Sequence, residues 1–258
     1  METSRFHSLA ARAKRAAILA WRGFSQLLWP GRCDACHAEI SDSDGSLCRK
    51  CWDELLTCTA GDYCPRCGRD ASRYGLVSGA CGACRAETIH FDGIARAGVY
   101  AETLHGIVLA FKHDHTEWAT VLAPLAEAAL QGSGFHEEID LFVPVPLHWT
   151  RRVLRGYNQA HLIAKRIRRP RAPVSTDLVR VRRTRAQPQA ATPAARARNV
   201  AGAFVVRDGH QFAGRVVCLV DDIKTSGATL SECAKTLKEA GAAKVYALVL
   251  AVAGQKAV

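Results

Sequence analysis

Residues 216–229 read VVCLVDDIKTSGAT, and this stretch decides the fold of the 258-residue chain. Its apolar start predicts a buried strand over Arg215–Val220, and its polar end opens a helix predicted over Thr229–Ala240. Two carboxylates, Asp221 and Asp222, follow the strand directly. Ligands of open parallel sheets lie just beyond the carboxyl ends of the strands. The stretch therefore predicts a binding site where the strand gives way to the helix.

The turn between this strand and helix is suited to an anion. Backbone N–H groups at a helix N-terminus attract phosphate, and the helix dipole adds to the attraction. Gly227 has no Cβ, so the backbone can approach a phosphate closely there. Further N–H groups and hydroxyls come from Thr225, Ser226, Ala228 and Thr229. The two carboxylates before the turn are acceptors suited to the hydroxyls of a ribose.

Two other interpretations of the stretch are open. An apolar strand ending in carboxylates also holds magnesium in P-loop nucleotide hydrolases. Those proteins need a Gly-x-x-x-x-Gly-Lys-Ser/Thr loop, which this sequence lacks. The other interpretation is an ordinary turn in which Thr225 or Ser226 caps the helix.

Apolar runs alternate with amphipathic segments from about residue 90 onward. Strands are predicted over Gly98–Tyr100, Leu141–Val145, Val179–Arg182, Ala203–Val206 and Val245–Val252, and further helices over Ala101–His113, Trp118–Gln131 and Asn158–Arg168. This alternation predicts an α/β fold with a mainly parallel sheet covered by helices on both faces. With 48% hydrophobic residues, the chain can bury an ordinary core.

Nine of the eleven cysteines lie between Cys33 and Cys84. Eight of them form the pairs Cys33/Cys36, Cys48/Cys51, Cys64/Cys67 and Cys81/Cys84, separated by gaps of 11, 12 and 13 residues. Two such pairs supply the four thiolates of a structural zinc site, so the spacing predicts two zinc ions in a double ribbon over residues 31–88. Sequential and interleaved pairing are both open, and redox-active dithiols are the alternative to zinc. Cys58 is left over as a spare thiol.

Residues 1–30 carry apolar side chains at helical spacing and arginine or lysine between them, which predicts one basic amphipathic helix. The chain thus divides into this helix, the ribbon at 31–88 and the α/β domain at 89–258. The helix is expected to pack on a neighbouring element, and peripheral contact with an anionic membrane surface is the alternative. No run approaches the ~20 apolar residues that cross a bilayer, and no signal peptide is recognisable, so a cytoplasmic protein without a transmembrane segment is expected.

The net charge of +11 is concentrated in one span. Residues 151–199 hold 14 arginines or lysines against a single acid, Asp177. Such a field favours an anionic partner, either the phosphates of a small molecule or a nucleic-acid backbone. A solvated basic face that serves only solubility is the alternative.

Residues 216–229 also resemble the motif with which type I phosphoribosyltransferases bind phosphoribosyl pyrophosphate (PRPP), and residues 25–252 resemble the ComF family of competence-associated proteins. The other matching pieces are Leu27–Pro30, Phe111–Lys112, Val143–Leu147, Arg151–Arg152, Arg155–Gln159, Arg183–Arg185, Arg196–Val200 and Ala203–Phe204. The resemblance implies a type I phosphoribosyltransferase-like parallel sheet behind an N-terminal double zinc ribbon. Two positions depart from the family pattern: Lys224 adds a charge beside the phosphate turn, and Gln187–Gln189 matches the usual hood loop only loosely.

The resemblance also implies roles for individual residues. Asp221 and Asp222 would hold the ribose hydroxyls, and Thr225–Thr229 would hold the 5′-phosphate. The turn containing Val145 and Pro146 would face the pyrophosphate together with Mg²⁺. Arg183–Asn199 would form a mobile hood over the site.

An enzyme of this kind displaces pyrophosphate from ribose C1 with a nucleophile that the sequence does not name. The candidate contacts of the departing pyrophosphate are Lys112, Arg151, Arg152 and Arg155; the candidate catalytic residues are Lys112, Arg155, Asp221 and Asp222. His113, His115 and His148 are possible acids or bases, or ordinary surface residues.

The alternative function is that of a competence factor without catalysis. Such a protein would bind single-stranded DNA or a helicase-type partner and keep the PRPP pocket as a sensor. Aromatic side chains between basic residues form stacking platforms for bases. Trp149 lies just before the basic span and Tyr157 lies within it, and these two aromatic residues give little support for a DNA track.

Overall fold

The computed structural model of the chain describes residues 31–40, 46–113, 115–167, 172–184 and 192–254. The helix predicted over residues 1–30 and the stretch Gln187–Gln189 lie outside the described residues. The chain forms two compact units, one up to Leu56 and one from Thr57 onward. A domain boundary at residues 88 and 89 stays a prediction from the sequence.

The first unit contains one zinc-ribbon hairpin. Strands β1 (Gly31–Arg32) and β2 (Glu39–Ile40) pair antiparallel, with Gly31 opposite Ile40. Helix α1 (Arg49–Thr59) follows, and the boundary between the two units falls within it.

A four-stranded parallel sheet forms the centre of the second unit. Its strands are β5 (Gly93–Val99), β6 (Leu141–Pro144), β9 (Val216–Lys224) and β10 (Lys244–Val252), in the order β5-β10-β9-β6. All three pairs of neighbours run parallel. Strands β5 and β6 are buried along their whole length, as expected for apolar strands with helices on both faces. The α/β fold with a parallel sheet is therefore confirmed.

Four helices flank this sheet: α3 (Glu102–Ala110), α4 (Ala119–Gln131), α6 (Gln159–Arg166) and α8 (Ala228–Glu239). Side chains alternate between the two faces along a strand. On β9, Val217 and Leu219 share one apolar cluster with Leu230 and Leu237 of α8. The residues between them point to the opposite face, and α6 contacts β9 and β6 there.

Shorter elements complete the second unit. The second ribbon contains β3 (Leu76–Val77), β4 (Ala80–Cys81) and α2 (Gly82–Arg85). Beyond the sheet lie α5 (Trp149–Arg155), α7 (Pro193–Val200) and an antiparallel pair formed by β7 (Leu178–Arg180) and β8 (Phe204–Val206). Single turns of 3-10 helix occur at Arg73–Gly75, Thr116–Trp118 and His136–Glu138.

Tertiary pairing moves two strand boundaries away from those predicted by the sequence. Strand β9 runs to Lys224 instead of ending at Val220, because Ile223 and Lys224 pair with the end of β10. The two carboxylates therefore lie inside the strand and not beyond it. Strand β5 begins at Gly93 because its whole length pairs with β10. Helices α1, α5 and α7 are not predicted by the sequence. Helices α5 and α7 have only seven and eight residues, too few for a clear helical period. Helix α1 lies in the cysteine-rich stretch that was interpreted as zinc ribbon.

Candidate functional site

Each ribbon brings four cysteine sulfurs together. The first set is Cys33, Cys36, Cys48 and Cys51, and the second is Cys64, Cys67, Cys81 and Cys84. Within each set all Sγ atoms lie within 4.8 Å of one another. The pairs are thus grouped in sequence order, not interleaved. Cys58 stays outside both sets and donates to the Ala101 carbonyl over 3.4 Å.

Backbone N–H groups point at equivalent sulfurs in the two ribbons. The Cys48 N–H donates to Cys33 Sγ, and the Cys81 N–H donates to Cys64 Sγ, each over 3.3 Å. Burial alone would raise the pKa of Cys33, but this N–H and that of Cys36 outweigh it and lower the pKa to about 6. Since the thiolate is the form that binds metal, these donors favour a bound cation.

The remaining thiols test whether a cation fits. Burial and the neighbouring sulfurs raise the pKa of Cys51 and of Cys67 above the usual value for cysteine. Four thiolates so close together repel one another, and a divalent cation at their centre removes that repulsion. Four sulfurs in this arrangement are the donor set of tetrahedral structural zinc. A zinc ion held by these four sulfurs would have no open coordination position for catalysis, so its role would be structural.

The second ribbon is attached to the sheet through a buried arginine of β5. Arg96 is 5% exposed, and its guanidinium pairs with Asp70 over 2.5 Å and donates to the Gly68 carbonyl over 2.8 Å. It also lies over the Tyr63 ring at 4.8 Å. These contacts fix the ribbon beside the strand ends, and they bring Arg69 into the neighbourhood of the phosphate turn.

Asp221 and Asp222 occupy neighbouring positions of β9 with different surroundings. Asp222 Oδ2 pairs with Lys112 Nζ over 2.9 Å, and both side chains are less than a fifth exposed. Burial, followed by the adjacent Asp222 carboxylate, raises the pKa of Asp221 well above its ordinary value. One carboxylate is thus neutralised by a lysine, while the other holds a proton more tightly than usual.

The Tyr157–Gln159 stretch ties the pieces of the site together. The Tyr157 hydroxyl donates to the Phe111 carbonyl over 2.5 Å, and Gln159 Nε2 donates to the same carbonyl over 3.4 Å. Asn158 Nδ2 donates to the Val145 carbonyl over 3.0 Å. The residue before Lys112 and the turn after β6 are thereby held together. Sequence reasoning assigned Asn158 and Gln159 no individual role and suggested Tyr157 only as an aromatic residue for base stacking. The N-cap pattern of Asn158 before an apolar helix was a usable signal.

The backbone of the phosphate turn is left-handed at Gly227, a conformation that favours glycine. Gly227 has φ 81° and stands at the N-terminus of α8, and the Ala228 N–H donates to Ser226 Oγ over 3.4 Å. A Cβ at Gly227 would lie 2.9 Å from Lys224 Cε. Lys224 thus packs directly against the turn, and it is only 3% exposed. Burial, followed by the charge of Arg69, lowers the pKa of Lys224.

A cavity of about 1010 Å³ opens beside this turn. One wall is the turn itself, Thr225–Ala228, and a second is α7 with Arg196, Ala197 and Val200. The third wall is Arg69 and the segment Glu87–Phe91, which leads from the second ribbon into β5. Its lining does not include Asp221 or Asp222.

The other predicted contacts lie on or near α5. Arg151, Arg152 and Arg155 belong to this helix, in which Arg152 is exposed and Arg155 is half-buried. His148 caps the helix, because its Nδ1 accepts the Thr150 N–H over 3.3 Å. Pro146, in the turn before it, is half-buried.

The remaining candidate histidines are on the surface. His113 is exposed, and His115 is exposed and pairs with Glu117 over 2.8 Å. His148 caps α5 and His115 pairs with Glu117, so both of these histidines have a structural role.

Comparison with known proteins places two domains on the chain. A family model described as double zinc ribbon domain matches residues 24–89, and one described as phosphoribosyl transferase domain matches residues 154–258. No helix in the described part of the chain is long and apolar enough to span a bilayer.

Three curated relatives match most of the chain. Competence protein F of Haemophilus influenzae is 30% identical over 227 residues, which cover 85% of this chain and 96% of that protein. DNA utilization protein YhgH of Escherichia coli is 30% identical over 84% of this chain and 94% of its own length. Competence protein ComFC of Bacillus subtilis is 28% identical over 78% of this chain and 81% of its own length. Since the similarity spans both the ribbons and the sheet, the chain belongs to the ComF family, the family of Competence protein F.

Proposed function

We propose that this chain binds PRPP at β9 and the turn that follows it, and that it acts as a phosphoribosyltransferase. The observation that supports this most directly is the order of groups along one strand and helix. Two carboxylates stand near the carboxyl end of a central parallel strand, followed by a glycine of positive φ and the N-terminus of α8. Carboxylates suit ribose hydroxyls, and the helix N-terminus suits the 5′-phosphate.

In this proposal an acceptor nucleophile attacks ribose C1 of PRPP, and the bond from C1 to the pyrophosphate breaks, so that pyrophosphate leaves. Negative charge builds on the departing pyrophosphate, so fixed cations stabilise the transition state. The cations proposed for this role are Arg151, Arg152 and Arg155, on the helix that follows Val145 and Pro146. Lys112 is the ion-pair partner of Asp222, so its proposed role is to hold that carboxylate in position for the ribose.

Magnesium is proposed to arrive with PRPP. Carboxylate oxygens are ligands that Mg²⁺ accepts, and the ion usually binds through one or two carboxylates and the phosphates of its substrate. Asp221 and Asp222 are the residues near the site that fit this pattern. When bound, the ion would neutralise charge on the pyrophosphate oxygens.

The proposal is tested by calorimetric titration with PRPP and Mg²⁺ of the wild type and of a double variant, Asp221→Asn with Asp222→Asn. We expect the double variant to lose PRPP binding while its circular dichroism stays unchanged, because both carboxylates belong to the ligand site. Asp208→Asn, at an exposed turn, is the matched control and should bind PRPP normally. Unchanged affinity in the double variant would refute the site.

A second candidate function is binding of single-stranded DNA or a helicase-type partner, with PRPP as a sensed ligand. The names of the relatives refer to competence and DNA utilization. The supporting observation in this chain is on α5, where Trp149, Val153 and Leu154 are 67%, 74% and 85% exposed beside exposed Arg152. Aromatic and basic side chains together suit nucleic acid. In either case we propose a cytoplasmic protein, where reducing conditions keep the eight thiols available for zinc.

A further inference from the structure

The cavity beside the phosphate turn contains a lysine that has no ion-pair partner among the described residues. Lys224 is 3% exposed, and none of the residues that the structure describes forms an ion pair or a side-chain hydrogen bond with its ammonium group. Lysines are almost never fully buried unless they are paired. A buried, unpaired ammonium that lines a cavity indicates that an anion from outside the chain completes the site.

A second cation on the opposite wall has spare hydrogen-bonding capacity. Arg69 Nη2 pairs with Glu87 Oε1 over 2.7 Å, whereas its Nη1 is buried without a hydrogen-bond partner among the described residues. A guanidinium presents its donors in a fixed fork that matches the oxygens of a carboxylate or phosphate. Arg69 can therefore keep its contact with Glu87 and still donate to a ligand.

The carboxylates of the cavity are already engaged. Among the residues that the structure describes, the ionisable ones that line it are Arg69, Arg196, Lys224, His90, Glu87 and Glu232. Glu87 is bound to Arg69, and Glu232 accepts the Gly202 N–H over 2.6 Å. Neither carboxylate lies within ion-pair distance of the Lys224 ammonium group, and Glu87 acts on it only at longer range. The lining thus favours a negatively charged ligand.

We propose that Lys224 and Arg69 form a subsite for the carboxylate or phosphate of a small organic anion that occupies this cavity. The subsite is separate from the place that the turn offers to a 5′-phosphate. Lys224 packs on the Cβ side of Gly227, and a phosphate held by the turn lies on the side of its N–H groups. A cavity of about 1010 Å³ also has room for more than one phosphate group. A lysine and a ribbon arginine thereby give the second ribbon a direct part in ligand recognition.

Inorganic phosphate is the probe, titrated by calorimetry with and without saturating ribose 5-phosphate. We expect the wild type to bind phosphate even when ribose 5-phosphate fills the turn. Lys224→Met keeps the length and apolar stem of the side chain, and it should weaken the affinity for this phosphate by at least about tenfold. Arg69→Gln should also weaken the binding of phosphate in the presence of ribose 5-phosphate. This variant provides a second measurement if Lys224→Met does not fold. Lys235→Met is the control, because Lys235 is exposed on α8 and pairs with Glu239 at 3.8 Å.

Three outcomes would overturn the subsite. If ribose 5-phosphate abolishes phosphate binding, the anion is the 5′-phosphate of the sugar itself. If Lys224→Met binds phosphate as the wild type does, the lysine is no ligand. If Lys224→Met instead loses one zinc and keeps its phosphate affinity, the lysine balances the thiolates of the second ribbon. The inference does not depend on PRPP: if ribose 5-phosphate fails to bind at all, the proposed function is in doubt, while phosphate alone still tests Lys224.

Discussion

At the scale of single residues, the raised pKa of Asp221 in β9 should make the stability of the folded chain depend on pH. Its pKa is raised in the folded chain by burial and by the Asp222 carboxylate. Between the ordinary aspartate pKa of about 4 and the raised value, the folded chain binds more protons than the unfolded chain. The free energy of unfolding therefore falls as pH rises through that window.

Asp221→Asn is expected to remove this contribution, because an asparagine is neutral at every pH. Relative to the wild type, the variant should gain more stability at pH 8 than at pH 5, measured as melting temperature without PRPP. Asp208→Asn, which changes an exposed carboxylate, should show no such difference. Equal shifts at the two pH values would contradict the assignment.

Arg155 decides, also at the residue scale, between a pyrophosphate contact and a DNA track. If it binds the pyrophosphate of PRPP, Arg155→Ala should weaken PRPP by about 1.5–3 kcal/mol, the value of a charge-assisted contact. Ribose 5-phosphate, which lacks the pyrophosphate, should be little affected. Titration of one variant with PRPP, ribose 5-phosphate and single-stranded DNA separates these effects.

If α5 instead binds a nucleic-acid backbone, Arg155→Ala should affect the binding of single-stranded DNA more than the binding of PRPP. Affinity for single-stranded DNA would then fall, its salt slope would decrease by somewhat less than one unit, and PRPP affinity would hardly change. Arg166→Ala, an exposed arginine at the end of α6, is the control within the same basic span. We expect PRPP to be the more affected ligand.

At the scale of elements, the second ribbon offers two glycines of similar conformation and different surroundings. Gly68 and Gly79 have φ of 77° and 74°. A Cβ at Gly68 would lie 3.2 Å from Val252 and 3.4 Å from Ile94, whereas a Cβ at Gly79 would meet nothing within 4 Å. The first glycine therefore marks where the ribbon packs on the sheet.

Replacing each glycine with alanine separates backbone strain from packing. Each alanine should lower the free energy of unfolding by about 1–2 kcal/mol, because a residue with a Cβ disfavours a left-handed backbone. Gly68→Ala should lose more, because the added methyl also pushes against β5 and β10. Denaturant unfolding of the α/β unit measures the difference, and equal destabilisation would mean that the ribbon is not held tightly there.

At the scale of the whole molecule, the two ribbons belong to different compact units. We expect close to two zinc ions per chain by elemental analysis. Cys33→Ser and Cys64→Ser should each lose about one ion, since structural zinc binding and folding are coupled. Their consequences should differ, because the second ribbon is bound to the sheet through Arg96.

Cys64→Ser is therefore expected to lower the melting temperature of the α/β unit, and Cys33→Ser to leave it nearly unchanged. Hydrogen exchange along β5 and β10 shows where each variant opens. Two equal losses of stability, or zinc near zero with oxidised thiols in the wild type, would contradict this picture.

The sequence by itself determined the features that depend on local pattern. Apolar runs of β9 and β10 predicted the parallel strands, because strands buried on both faces must be apolar throughout. Cys-x-x-Cys spacing predicted the four sulfurs of each ribbon, since a tight knuckle places two thiols side by side. The turn before α8 was likewise visible, because polar residues and a glycine in front of an amphipathic helix are a local signal.

Tertiary structure alone decided the features that join distant segments. The end of β9 was set by pairing with β10, and the grouping of cysteine pairs was set by how each hairpin closes. Lys112 met Asp222 across 110 positions of the chain, and Arg69 and Lys224 came to one cavity from the ribbon and the sheet. Periodicity and spacing describe neighbours along the chain, so they do not encode which loops the fold brings together.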